Sequence, residues 1–254
     1  MCDYYNRSKI LALACAVTVI IAISAHIYGQ TKTTTDTKEE ATPVVEGEMT
    51  PRQIEHSKLY ETSGRKKKLS TSPDGTTIVV NTPWPSESGG NTHAFDHYLP
   101  EMICKSDAVV VATVKSKASQ LTSDGTFIFT DYELSVEDVL KNNVSSYIQP
   151  GLEITVTRPG GVVSLTGKIL SVMDRSFKPL EANKSYLLFL DYLPSTGAYK
   201  SISSEGSFEI SNDQLLRLTD EEPLYKLTPS FNRPNVVNEI RVHADGCNNQ
   251  GESK

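Results

Sequence analysis

Residues 106–114 read SDAVVVATV, and beyond a Ser123-Asp124-Gly125 turn residues 126–136 read TFIFTDYELSV. The first stretch is a run of small and branched apolar side chains, the pattern of a strand buried on both faces. In the second, Ile128, Thr130, Tyr132, Leu134 and Val136 share one face, while Phe127, Phe129, Asp131, Glu133 and Ser135 share the other. Such period-two alternation describes a strand with one face in a core and the other turned outward. Further strand signals follow at 153–158 (EITVTR), 162–165, 169–172, 185–191 (SYLLFLD), 199–202 and 207–210, with a Pro159-Gly160-Gly161 turn among them. So many short strands predict a small closed or nearly closed barrel, because closure removes exposed edges.

Helical signals bracket the strands. Residues 100–105 (PEMICK) read as a short helix with Pro100 at its first position. Near the C-terminus Asn235 can cap a helix whose stripe of Val236, Val237, Ile240 and Ala244 is a docking face, with Gly246 as its stop.

The chain has 254 residues and a formal net charge of −6, so wholesale nucleic-acid binding is not expected, since that requires a basic field. Residues 10–28 (ILALACAVTVIIAISAHIY) carry no formal charge and follow Arg7 and Lys9. Their length lies between that of a secretory signal and that of a membrane span, and the basic flank orients the remainder outward in both cases. Cleavage sites after Ala25 or Gly29 and retention as an anchor both fit. The expected organisation is a signal peptide or signal anchor at 1–29, a flexible and mostly disordered lead at 30–90, the barrel with its C-terminal helix at 91–246, and a tail at 247–254. The lead is rich in Thr, Ser, Lys, Glu, Pro and Gly, and buries too little to offset ordering. Inside it, residues 51–60 can form a fraying helix and 76–81 a short strand, while the run at 65–68 reads as solvated charge.

An exported position gives the cysteines meaning. Cys2 and Cys15 belong to the signal, leaving Cys104 and Cys247 as an even pair that suggests a disulfide. Two buried thiols, or a structural zinc site of His97, Cys104, His243 and Cys247, are the alternatives.

The succession SDAVVVATV, a long second strand ending VEDVLK, then EITVTRPGG, YLLFL and GSFEI resembles the five-stranded Greek-key OB-fold barrel of the netrin-like and tissue-inhibitor-of-metalloproteinases type, as it occurs in exported bacterial proteins. The resemblance spans residues 100–210 and implies a mainly β, OB-fold-like barrel, with a short helix before its first strand and the terminal helix after its last. The inhibitors of that family use an N-terminal Cys against the protease zinc. No Cys stands near either cleavage site here, so that mechanism is not expected.

No catalytic constellation stands out. There is no G-x-S-x-G elbow and no phosphate loop at Gly89-Gly90 or Gly160-Gly161. His93 and His97, four apart and with Asp96 between, form the one metal-type pair, which would make the chain an extracytoplasmic metal-dependent hydrolase. The reading favoured by the residues is a non-catalytic binding module that needs no cofactor. Its expected partner is an extracytoplasmic protein or envelope component, with membrane contact through the N-terminal segment if that is uncleaved. Phe127, Phe129 and Trp84 are the candidate patch: two rings on an outward face should be covered by the lead, through Trp84, or by a partner.

Overall fold

The turn at Gly125 folds the two longest strands against each other. Gly125 takes φ +69°, and the Asp124 carboxylate accepts from the Thr126 backbone and from the Thr122 and Thr126 hydroxyls. Strand β3 (Ala108–Leu121) thereby pairs antiparallel with β4 (Ile128–Asn142), from Leu121 opposite Ile128 to Ala108 opposite Asn142. The computed structural model describes residues 42–43, 49–61, 67–80, 95–143, 148–203, 205–218 and 231–247, all within the unit Glu40–Lys254. The apolar segment at 10–28 lies outside the described residues, among which no helix is long and apolar enough to cross a membrane.

The remaining strands are β1 (Thr42–Pro43), β2 (Thr76–Val80), β5 (Glu153–Pro159), β6 (Gly161–Leu165), β7 (Lys168–Asp174), β8 (Ser185–Leu193), β9 (Ala198–Ser201), β10 (Ser207–Ser211), β11 (Gln214–Arg217) and β12 (Phe231–Asn232). The helices are α1 (Pro51–Tyr60), α2 (Phe95–Lys105) and α3 (Arg233–Cys247). The chain is mainly β, with α2 directly before β3 and α3 at the C-terminal end. One sheet has the order β12-β11-β10-β8-β3-β4-β5-β9, with β8 also pairing β9, and a second has the order β1-β6-β7-β2.

The small five-stranded barrel expected from the sequence is thus replaced by two sheets, for two local reasons. Asn212 and Asp213 take φ +48° and +60°, the two left-handed residues of a tight hairpin, and they carry the sheet on from β10 into β11. Thr166 and Gly167 make the same kind of turn between β6 and β7, whose outer edges recruit β1 and β2 as parallel strands. Gly161, at φ +141°, must be glycine: a Cβ there would collide with the hydroxyls of Thr130 and Ser119.

Strand β3 is buried on both faces over its first half, as its composition requires. Ala108, Val110, Ala112 and Val114 enter an interior cluster with Tyr132, Leu134, Val136, Tyr186 and Leu188. Val109 and Val111 point the other way, against Leu99, Met102 and Ile103 of α2 and Ile240 of α3. Helix α2 starts at Phe95, so Pro100 lies inside it and not at its first position, and α3 begins at Arg233, two residues before the expected cap.

Cys104 and Cys247 form a disulfide that joins the ends of α2 and α3 across 143 residues, with Cα atoms 5.2 Å apart. In the chain-entropy account, closing so long a loop stabilises the fold by about 4–5 kcal/mol before strain is subtracted. Beside it the buried Lys141 ammonium donates to the carbonyls of Ile103 (2.6 Å), Ser106 (2.5 Å) and Cys104 (3.3 Å), satisfying the C-terminal carbonyls of α2.

Within residues 30–90 the described residues include the helix and the short strand expected there. Helix α1 has the bounds expected of it, β2 pairs β7 over its whole length, and Leu69 is buried. Few apolar residues suffice here, because the two sheets supply the other half of each contact.

Candidate functional site

The outward face of β4 is the candidate site, and α1 lies on it. The helix is well started: the Thr50 hydroxyl accepts from the Gln53 backbone, the Gln53 side chain accepts from the Thr50 backbone, and Pro51 occupies the first turn. Three of its residues, each four apart, then meet three successive outward positions of β4. Arg52 pairs with Glu133 at 3.5 Å, His56 with Asp131 at 2.9 Å, and the Tyr60 ring stacks on Phe129 and Phe127 at centroid distances of 5.5 and 6.2 Å. The match is geometric, since four helical residues advance about 6 Å and two strand residues about 6.6 Å.

Burial grades the three contacts. Phe127 and Phe129 are 2% and 0% exposed, buried by Tyr60 together with Leu69, Val163, Leu170 and Val172. Burial pushes the Tyr60 phenol far above its ordinary value, while its hydroxyl reaches Thr157 Oγ1 at 3.4 Å. His56 is also fully buried: Nδ1 faces both Asp131 oxygens at 2.9 and 3.0 Å, and Nε2 meets Thr196 Oγ1 at 3.0 Å. Gln120 donates to the same carboxylate at 3.3 Å. Arg52 and Glu133 remain about half in water, where an ion pair contributes roughly 0–1 kcal/mol. Glu133 is held from its other side by the Thr155 hydroxyl. At the far end of the helix Ser57 accepts from the Ser123 backbone at 2.7 Å, which ties α1 to the β3–β4 turn.

Hydroxyl, imidazole and carboxylate stand here in the order used for acyl transfer. The His56 ring has no face toward solvent, and the trio ties α1 to β4 and to the β8–β9 turn that carries Thr196. Two hollows flank Arg52. One of about 360 Å³ is bordered by Ile54, Glu55, Ser195 and Thr196, and one of about 270 Å³ by Glu133, Leu152, Tyr192 and Tyr199.

The sequence-derived patch is therefore half assembled. Phe127 and Phe129 do share the face opposite Tyr132, Leu134 and Val136, but they are covered and not open. Their cover from the lead is Tyr60 with Leu69, joined by Val163, Leu170 and Val172 of the second sheet; Trp84, to which that role was given, lies outside the described residues. His93 also lies outside them, and Asp96 and His97 are described only as backbone of α2. Because Cys104 and Cys247 are bridged, neither thiolate is free for a zinc site with His97 and His243. Among the described residues no cluster of three metal-ligating side chains occurs.

Arg52, His56 and Tyr60 were missed because hydrophobic periodicity looks for the wrong residue types. The most apolar residues of α1, Ile54 and Leu59, are 39% and 41% exposed, and its buried face is made of His56, Ser57 and Tyr60. The usable signal was the spacing itself, a basic residue, a histidine and an aromatic residue at i, i+4 and i+8 behind a capping box. A scan of protein-family models and a search of curated proteins find no match to this chain.

Proposed function

We propose that this chain is an exported, non-catalytic binding module of netrin-like OB type whose second-strand face is occupied by its own α1. The pairings support the barrel. β3 pairs with β4, β4 with β5, β5 in parallel with β9, β9 with β8, and β8 with β3, so five strands hydrogen-bond in a circuit with the strand order of an OB fold. On this reading β10–β12 and the second sheet are additions to that barrel.

The observation that carries the binding role is the ladder of Arg52, His56 and Tyr60 on Glu133, Asp131, Phe129 and Phe127. A strand face with two aromatic rings followed by two carboxylates recognises a helix bearing an aromatic, a histidine or cation, and a cation at matching spacing. In the isolated chain, α1 is that ligand. The partner is an extracytoplasmic protein or envelope component carrying the same pattern. The disulfide supports an oxidising location, with the barrel either released or held by the N-terminal apolar segment.

Opening the latch tests the reading. A His56→Ala, Tyr60→Ala variant of the full chain should bind a synthetic peptide of residues 49–61 saturably, while the wild type, whose face is filled, should not. Failure of the folded double variant to bind that peptide would remove the face from the account.

A further inference from the structure

Arg158 lies deeper than any other cation among the described residues. It sits on β5 two residues beyond Val156, on the same inward face, and is 1% exposed. Its Nε, Nη1 and Nη2 have no hydrogen-bond partner among the described residues. The Phe177 ring, from the segment after β7, covers one face of the guanidinium at 5.2 Å. That contact satisfies the flat face of the group but none of its five N–H donors, which lie in the plane.

We propose that Arg158 is the recognition group of an internal anion site at this end of the barrel, and that the anion is chloride. A guanidinium taken from water without acceptors costs several kcal/mol, so a sequence that places arginine here needs an acceptor for it. Tyr186 supplies a second donor: its oxygen accepts from the Glu181 backbone at 2.8 Å, which leaves its own hydrogen to give. Burial lowers the pKa of Arg158, while Tyr132, Tyr186, Tyr60 and, more weakly, Asp174 favour its charged form, so these groups are its electrostatic surroundings.

Two features choose the anion. Asp174 is itself buried, with one oxygen taking the Ser176 backbone at 2.9 Å, and it already offsets part of the positive charge. A divalent phosphate or sulfate would add two further negative charges beside Asp174, and a monovalent ion adds one, the smaller cost in a buried site. Phe177 and Leu180, 3% and 0% exposed, close this end of the interior to solvent, which favours a small ion over a carboxylate with a chain attached.

The test uses the full-length protein in sodium chloride and in sodium gluconate at equal ionic strength. Chloride should raise the unfolding midpoint saturably, by about 3 °C between millimolar and physiological concentrations, and bromide should do the same. An Arg158→Met variant should unfold at one temperature in both salts. The Arg158 Nε–H resonance of the wild type should move as chloride is titrated in, which keeps the proposal testable should the variant not fold. Equal wild-type midpoints in chloride and gluconate, with an unmoved resonance, would overturn the site and leave the guanidinium to water or to Asp174.

Discussion

The two faces of β4 solve the same problem by opposite means. On the inner face Tyr132, Leu134 and Val136 are buried by side chains from β3, β5 and β8, all parts of one hydrogen-bonded circuit. On the outer face Phe127 and Phe129 pack with Tyr60 of α1, with Leu69 and with Val163, Leu170 and Val172 of the second sheet, while Asp131 and Glu133 are met by one imidazole and one guanidinium of α1. The inner contact rests on area, which is non-directional and shared among many neighbours. The contact that α1 makes rests on a few paired groups, which are directional and fail one at a time. A face built in the second way can release its cover while the first stays folded.

Substitutions on the two faces should sort accordingly. Leu134→Ala, at an interior position with no exposure, should lower global stability by about 2–5 kcal/mol, seen as one earlier cooperative transition in denaturant. Tyr60→Ala removes a larger side chain, yet its expected effect is local. Hydrogen exchange should lose protection in α1 by about 2–3 kcal/mol while β3 and β8 keep theirs. Equal losses in α1 and β3 would erase the distinction between the faces.

Alkali offers a milder way to open the latch. Burial holds the Tyr60 phenol above its ordinary value, so its contribution is present below the unfolded value near 10 and is lost as pH rises beyond it. Protection of α1 should fall between about pH 9 and 11 in the wild type, and less in Tyr60→Phe, which has no proton to lose. The smallest effect belongs to Arg52→Ala, about 0.5 kcal/mol or less, vanishing in high salt, because its partner Glu133 is exposed and screened.

How far the sequence spoke depended on which kind of face was being read. The strand cores at 108–114 and 185–191 and the alternation from Thr126 were legible because area-driven burial leaves a period. The extension of β3 to Leu121 was not, since Lys115, Ser116 and Lys117 carry no apolar pattern; Ser116 and Lys117 are held in the strand by pairing with Glu133 and Tyr132, and Lys115 falls at a register shift between Val114 and Ser116. The β10–β11 hairpin had a signal in Asn212-Asp213 that went unused, whereas β1 and β2 join a sheet whose other half lies some ninety to one hundred and twenty residues away. At the candidate site, parity of the strand correctly put Phe127 and Phe129 opposite the core. It could not name their cover, because α1 buries polar and aromatic residues and leaves Ile54 and Leu59 outside. Arg158 escaped notice for the same reason: a lone arginine in EITVTR looks like the end of an outward strand until Phe177 is seen to lie over it.

A double-mutant cycle between Tyr60 and Phe129 tests the helix-on-strand contact most directly. Stabilities of the wild type, Tyr60→Ala, Phe129→Ala and the double variant should give a coupling energy of about 1 kcal/mol, as stacked partners in direct contact do. Strictly additive losses, with a coupling below about 0.3 kcal/mol, would mean that α1 does not rest on the outer face of β4.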